Sequence, residues 1–526
     1  MRDKSLDLEG VCLCLGEEGV RLYIYQQEIM KLCIIILLFI SVNYNLSGQQ
    51  QIGSDILGEK PNEDFGSAVA INYDGTIVAI GAQRRNNGRG VVEVYEYKSG
   101  VWSLKGEKIE GLTNNSWFGT EVALAPSGNR MVVGSYRENI VRIYDFIGND
   151  WFLSGEILFG MPFSLIHFGY AIDISNDGKT VAISATHHPQ GNVHRGIVNI
   201  YREVNDQWLQ LGDGIEGEFD RDQSGWDIDL SEDGKTIAIG SISNDNKGEN
   251  AGQVRIFTYN DISWNQVGES LHGEHHHLSF GWSLDMSGNG RYLVVGAPID
   301  WSGTNTKNHY VEVYELIDGD WLAKGNKIYG ALGQNFGYQV AITDDGNRIA
   351  VSVPQDKKCP IQIYDFINHE WELVGSISHE AEFHALGYSL AMNPDGDVIV
   401  GTSRTQEGFT VVYDLNDLHT PNCIMEEESE EGESTNIYFP NVINLNSIHE
   451  YNSVFFGQSN EEIVYSLSIF DRWGGRIFFN PYAITNSVAD GWQPSSKFAQ
   501  GVYVYQVKYL DRENEVILIG NITLIN

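Results

Sequence analysis

Apolar residues along most of this chain come in short runs that alternate with polar positions or stand unbroken, and Gly, Asn, Asp or Pro closes each run. The stretch from Phe280 to Gly330 shows the unit. Phe280-Gly281-Trp282 opens an alternating run through Leu284 and Met286, which ends at Asn289-Gly290. Tyr292-Leu293-Val294-Val295 follows and stops at Gly296-Ala297-Pro298. After a polar loop come Val311-Glu312-Val313-Tyr314, then Asp318-Gly319, and Trp321 with Gly325 and Gly330 behind it. Such β-rich runs between turn residues predict four short strands.

The unit is copied. A pair of glycines nine residues apart occurs seven times: Gly66/Gly75, Gly119/Gly128, Gly169/Gly178, Gly225/Gly234, Gly281/Gly290, Gly337/Gly346 and Gly387/Gly396. The steps between first glycines are 53, 50, 56, 56, 56 and 50 residues. A period of this size marks one supersecondary unit in tandem, and four-stranded units at that spacing predict the blades of a β-propeller. The second glycine sits in dipeptides such as Asp177-Gly178, Asp233-Gly234 and Asn289-Gly290. These suit the positive φ of a short hairpin, so the aspartates are read as turn formers rather than cation ligands.

The ends of the repeat region predict how the ring closes. Trp102, Trp151, Trp208, Trp264, Trp321 and Trp371 begin the fourth strand of six copies, whereas the seventh stops at Val411-Val412-Tyr413. The missing piece stands at the other end, where the segment from Gln51 to Glu59 reads like that from Leu104 to Gly111. It is expected to supply the outer strand of the blade that begins near Leu386. That would leave no open sheet edge at the closure.

Phe-Gly at the head of a copy and Gly-Ala-Pro after its second strand resemble the FG-GAP propeller of integrin α-subunits. Phe280-Gly281 with Gly296-Ala297-Pro298 carries both parts, and Phe65-Gly66 with Gly81-Ala82 is a partial match. The family's calcium loops lie between the first two strands. Here that connection is as short as Ser175-Asn176-Asp177-Gly178-Lys179, too short for the six to eight oxygens calcium takes. No metal and no cofactor are expected.

Downstream, Phe439-Pro440-Asn441, Ile469-Phe470-Asp471-Arg472-Trp473-Gly474 and Gly501-Val502-Tyr503-Val504-Tyr505 resemble the gliding-motility-associated C-terminal domain. That family is the type B sorting signal of the type IX secretion system in Bacteroidetes. The resemblance implies that the type IX machinery is a partner. It assigns Asp471, Arg472, Trp473, Gly474, Gly501, Val502 and Tyr503 to the sorting motif. Asn444-Leu445-Asn446-Ser447 stands where the family often has Asn-Gly-Asp-Gly.

The expected fold class is therefore all-β: a seven-bladed β-propeller followed by a small Ig-like β-sandwich. Residues 1–48 read as an N-terminal extension plus a signal peptide, with translation starting at Met30 and an apolar core from Leu32 to Val42, too short to span a membrane. The propeller is expected over 49–420 and the sorting sandwich over 437–526. Between them, 421–436 holds Glu426-Glu427-Glu428-Ser429-Glu430-Glu431-Gly432-Glu433, a self-repelling acidic linker.

Charge narrows the partners. With 34 Lys+Arg against 71 Asp+Glu the formal charge is −37, which opposes binding to nucleic acid and to anionic membrane surfaces. After signal cleavage no stable membrane insertion is expected. Only Cys359 and Cys423 lie beyond the leader, so one disulfide at most can form there.

Candidate chemistry falls on two regions. Loops joining strands two to three and four to one share one face of a propeller. Here they vary most and carry His187, His188, the run His275-His276-His277 and Trp301. That face is expected to bind the ligand, since recognition needs irregular convergent groups. On the inner strands Asp173, Asp229 and Asp285 stand four residues after the first glycine of three successive copies, with Asp227 nearby. They read as hydrogen-bonding groups, and in the rival reading as catalytic carboxylates. No phosphate loop, nucleophile elbow or paired-Cys motif stands out. The expectation is a secreted, cell-surface binding or adhesion propeller that is not an enzyme, with an extracellular glycan or protein as ligand. The alternative is an extracellular polysaccharide hydrolase or lyase that uses the channel carboxylates.

Overall fold

The computed structural model describes residues 50–158, 166–190, 193–299, 309–331, 333–379, 386–404 and 407–416 of the propeller region. Farther on it describes 439, 442–444, 454–456, 463–471, 476–485, 487, 491–494, 501–511 and 514–525. The chain divides into two compact units, Met1–Cys423 and Ile424–Asn526.

The first unit is a seven-bladed propeller. Its fourth blade runs Ser224–Leu230, Thr236–Ser241, Gln253–Tyr259 and Trp264–Gln266 in simple antiparallel order, and Leu271–His272 continues the outer strand. The first strands of successive blades adjoin in an unbroken cycle, with blade seven's against blade one's. The hairpin aspartates do what turn chemistry requires. Asp177 accepts from Ser175 Oγ at 2.7 Å and from the Lys179 amide at 2.9 Å, and Asp233 and Asp345 repeat the pattern.

The outer strand of blade seven comes from the N-terminal side. Gln50 and Gln51 pair with Asp414 and Tyr413, and Ile56 and Leu57 with Thr410 and Phe409.

The core lies between blades. One cluster joins Val132, Val141 and Ile143 of blade two to Phe168, Val181 and Ile183 of blade three. Four of the six fourth-strand tryptophans tie neighbours together farther out. The indole N–H of Trp102 donates to the Ile52 carbonyl at 2.7 Å, Trp151 to Lys105 at 2.6 Å, Trp264 to Leu211 at 2.8 Å and Trp371 to Lys324 at 2.7 Å. Each ring covers a glycine of the preceding blade's outer strand. A Cβ on Gly106, which sits at φ +82°, would lie 2.8 Å from Trp151 Cδ1.

Cys359 is buried and disulfide-bonded; Cys423 lies outside the described residues, as do the leader and the acidic linker.

The second unit holds a five-stranded sheet in the order Val442–Asn444, Asn514–Ile525, Gly501–Asp511, Val464–Phe470, Arg476–Ile484, with the first pair parallel. Phe439, Phe455, Tyr465, Leu467, Ile469, Trp492, Tyr503 and Val507 form its core. Among the described residues the named strands make this one sheet, and the second sheet of an Ig-like sandwich is not among them. Several side chains of the segments that resemble a sorting motif are structural. Tyr503 packs on Trp492 at 5.3 Å and Phe439 on Phe455 at 5.4 Å. Asp471 follows the strand Val464–Phe470, and Gly501 and Val502 open the strand Gly501–Asp511. Arg472, Trp473 and Gly474 lie outside the described residues.

Candidate functional site

The first glycine of each copy shapes the propeller axis. In blades one, three, four and seven the first strand bulges there. In blade four the pairing jumps from Ser224↔Ser241 to Ile228↔Ile239. Gly225 makes this possible: it sits at φ +87°, and a Cβ would lie 2.7 Å from that of Ser184 in the preceding blade. A bulge re-aims the side chains that follow it. Here the two residues after the glycine, Trp226 and Asp227, both reach the axial cavity.

Repeating this around the ring builds an aromatic arc. The residue after the first glycine is Tyr170, Trp226, Trp282, Tyr338 and Tyr388 in blades three to seven. Consecutive ring centroids lie 5.0, 4.8, 5.7 and 5.2 Å apart. Tyr136 extends the arc from Tyr170 at 5.9 Å, and Trp117 from Tyr136 at 5.6 Å. In blades one and two the same position holds the small hydroxyl residues Ser67 and Thr120. These side chains enclose a cavity of about 320 Å³, also lined by Gln83, Gln339, Ser389 and Arg404.

Two carboxyls, Glu121 and Asp227, line the cavity, each partly buried. Burial, with Asp227 and Asp173 nearby, pushes Glu121 up to about 8. Burial pushes Asp227 up to about 7, although it accepts from the Leu284 amide at 2.8 Å and the Ile228 amide at 3.0 Å. Loss of hydration outweighs those two bonds.

The candidates Asp173, Asp229 and Asp285 come together, but they do not line the cavity. They lie two residues farther along their strands. Each reaches into the next blade: Asp173 accepts from the Leu230 amide at 2.8 Å, Asp229 from Met286, and Asp285 from Ile342 at 2.6 Å. Asp173 and Asp229 are also bonded to each other, and Asp229 to Asp285. Burial first, then like charge, raises Asp173 and Asp229 well above the carboxylate range. Asp285 is pushed up to about 8, mainly by burial. Neighbouring carboxyls that share hydrogen bonds must hold protons between them.

The histidines fall into two groups. His187 packs against His167 at 3.8 Å and His194 at 4.7 Å, and His167 lies 4.8 Å from the cavity residue Tyr136. Burial lowers His167 to about 4 and lowers His187 and His188 as well, so these imidazoles stay neutral near pH 7. The run His275-His276-His277 lies elsewhere and locks onto the loop of blade four. The Glu249 amide donates to His276 Nδ1 at 3.1 Å, and the His277 amide to the Glu249 carbonyl at 2.7 Å. Among the described residues no cluster of His, Cys, Asp and Glu is arranged to hold a metal ion. Trp301 lies outside the described residues.

Sequence reasoning missed the arc and Arg404. The signal was present: Gly-Tyr or Gly-Trp opens each of the last five copies.

No family model matches the chain, and no curated protein matches it. Among solved structures it is similar to the β-propeller domain of Cps50 (Swd1) from Myceliophteria thermophila, at 12% identity over 69% of this chain and 99% of that one, with a TM-score of 0.47. It is also similar to a candidate 6-phosphogluconolactonase from Bacteroides fragilis, at 13% identity over 60% of this chain and 85% of that one, TM-score 0.44. A second such protein from Bacteroides uniformis matches at 12% identity over 59% and 83%, TM-score 0.43.

Proposed function

We propose that the chain is an exported binding protein whose propeller seats a sugar ring of an extracellular glycan in the axial cavity. The observation that carries this reading is the arc of Tyr170, Trp226, Trp282, Tyr338 and Tyr388. Aromatic faces set at angles around a concavity give a ring apolar surfaces to lie on. Gln83, Gln339, Thr120 and Ser389 supply donors and acceptors for hydroxyls. The cavity opens among residues of the two-to-three and four-to-one connections, such as Gln83, Tyr136, Arg404 and Trp117, so this reading keeps the ligand on the face expected from sequence. It moves the anchors from the outer loops to the axis.

A glycan array probed with the full chain, followed by titration of each hit against intrinsic tryptophan fluorescence, tests the reading. Trp226→Ala and Trp282→Ala should each weaken binding by about 2 kcal/mol or more, as for buried aromatic anchors. Hits that both variants bind unchanged would place the ligand elsewhere.

A second reading has one observation in its favour. Glu121 and Asp227 are raised to about 8 and about 7, the range in which a carboxyl serves as general acid near neutral pH. Release of reducing sugar from a bound polysaccharide, abolished in Asp227→Asn, would make the chain a hydrolase or lyase.

The C-terminal unit is assigned here to sorting through the type IX machinery, on the strength of Asp471-Arg472-Trp473-Gly474 and Gly501-Val502-Tyr503. In a host with that machinery, a chain ending at Glu433 should remain periplasmic while the full chain reaches the surface. Surface display of the shortened chain, detected by protease shaving, would remove the assignment.

A further inference from the structure

The cavity is lopsided in charge, and the rest of the protein makes that imbalance unexpected. Against a formal charge of −37, the arc of blades seven, one and two carries three guanidinium groups at the mouth. Arg404 lines the cavity and lies over the Tyr388 ring at 4.4 Å. Arg137 lies over Trp117 at 3.8 Å and Arg84 over the same ring at 5.5 Å. Among the described residues a single carboxylate is ion-paired with them. Asp64 is paired with Arg84 at 3.0 Å and with Arg404 at 2.9 Å. Three positive charges less one negative leave a local excess of two.

Two further facts favour an anionic ligand. The Nε–H of Arg404 is buried without a hydrogen-bond partner among the described residues. A buried guanidinium N–H left open costs stability unless something fills it. The two carboxyls of the cavity, Glu121 and Asp227, are raised by burial to about 8 and about 7, so near neutral pH they carry less than their full negative charge. The cavity therefore combines the open aromatic faces of Trp226 and Trp282 with guanidinium groups stacked on the two ends of the arc, at Tyr388 and Trp117.

We infer that the axial cavity selects an acidic sugar, a pyranose ring bearing a carboxylate, with the ring on the Trp226–Trp282 faces and the carboxylate at Arg404. The inference rests on the sugar-ring reading given above and adds the charge of the ligand to it. Planar guanidinium and carboxylate match in two parallel hydrogen bonds, and a low-dielectric mouth strengthens them. The glycan class is then one rich in uronic or nonulosonic acids.

The test titrates the full chain with three matched pairs: oligogalacturonate and its carboxyl-reduced oligogalactose, glucuronate and glucose, N-acetylneuraminate and its methyl ester. Tryptophan fluorescence gives the readout at 50 mM and 500 mM salt. At least one acid should bind ten-fold or more tightly than its neutral partner at low salt, and the preference should shrink at high salt. Arg404→Gln should bring the acid's affinity down to that of its neutral partner, and the salt dependence should go with it. Should Arg404→Gln prove unfolded by its thermal melt, Arg137→Gln decides. Arg137 is exposed, and its loss should lower the preference at least three-fold. Equal binding of acids and neutral partners would overturn the acidic-sugar inference and leave the ring reading intact. If no sugar of either kind perturbs the fluorescence, both readings fall.

Discussion

Raising the pH from 6 to 9 is expected to destabilise the propeller by several kcal/mol, and Asp229→Asn to remove much of that loss. The cause is the column of carboxyls on the first strands. Glu121 and Asp285 are raised to about 8, Asp227 to about 7, and Asp173 and Asp229 are raised beyond the ordinary range. In the unfolded chain such groups titrate near pH 4. Between those limits the folded protein holds more protons than the unfolded one, so stability falls as pH rises. The contribution is complete below about pH 4 and is lost as pH passes through about 7 to 8. Surface carboxylates such as Asp74, Asp145 and Asp177, held low by hydrogen bonds and, for the last two, arginine partners, act in the opposite sense at acid pH. The optimum should therefore lie on the acid side of neutrality. An asparagine at Asp229 still accepts the Met286 amide and cannot ionise, so it relieves both neighbours. Thermal melts at pH 6 and 9 check this. Equal melting temperatures for the parent at the two pH values, or a variant less stable than the parent at pH 9, would contradict it.

Deleting residues 50–58 should lower the melting temperature by roughly 10 °C or more and cause aggregation on heating. The segment supplies four ladder pairs to blade seven and two further backbone bonds, from the Ile52 amide to Val412 and the Gly58 amide to Gly408. It also brings Ile56, which is 5% exposed, and the carbonyl that Trp102 grips. Without it the strand Phe409–Asp414 becomes a free edge, open to pairing with another chain. Differential scanning calorimetry and light scattering measure both effects. An unaltered, cooperative transition would show that the ring does not depend on this closure.

The repeat, the hairpins and the N-terminal origin of the last outer strand were legible in the sequence because glycine spacing and turn dipeptides act locally. The axial site was less so, for a reason visible at Gly225. Simple alternation puts Trp226 and Asp227 on opposite faces of a strand, which makes the aromatic look like core. The bulge breaks the alternation and turns both toward the axis. Alternation after the bulge is regular again. Reading from Asp229 therefore found genuine inner-strand carboxyls, in a tier whose bonds go to the next blade's backbone. Arg404 could not be singled out at all, because its setting depends on Asp64 of blade one, which only the closed ring brings beside it.

The tryptophan ties have a direction. Trp151 holds Lys105, Trp264 holds Leu211 and Trp371 holds Lys324, so each indole grips the blade that precedes it in the chain. On the ribosome, a newly emerged blade thus finds its anchorage already made. Growth can proceed from the N-terminal side with short waits. Blade seven alone departs from this schedule, because its outermost strand is the first to be synthesised and its other strands are the last. That arrangement would keep the ring open until translation of the propeller has finished.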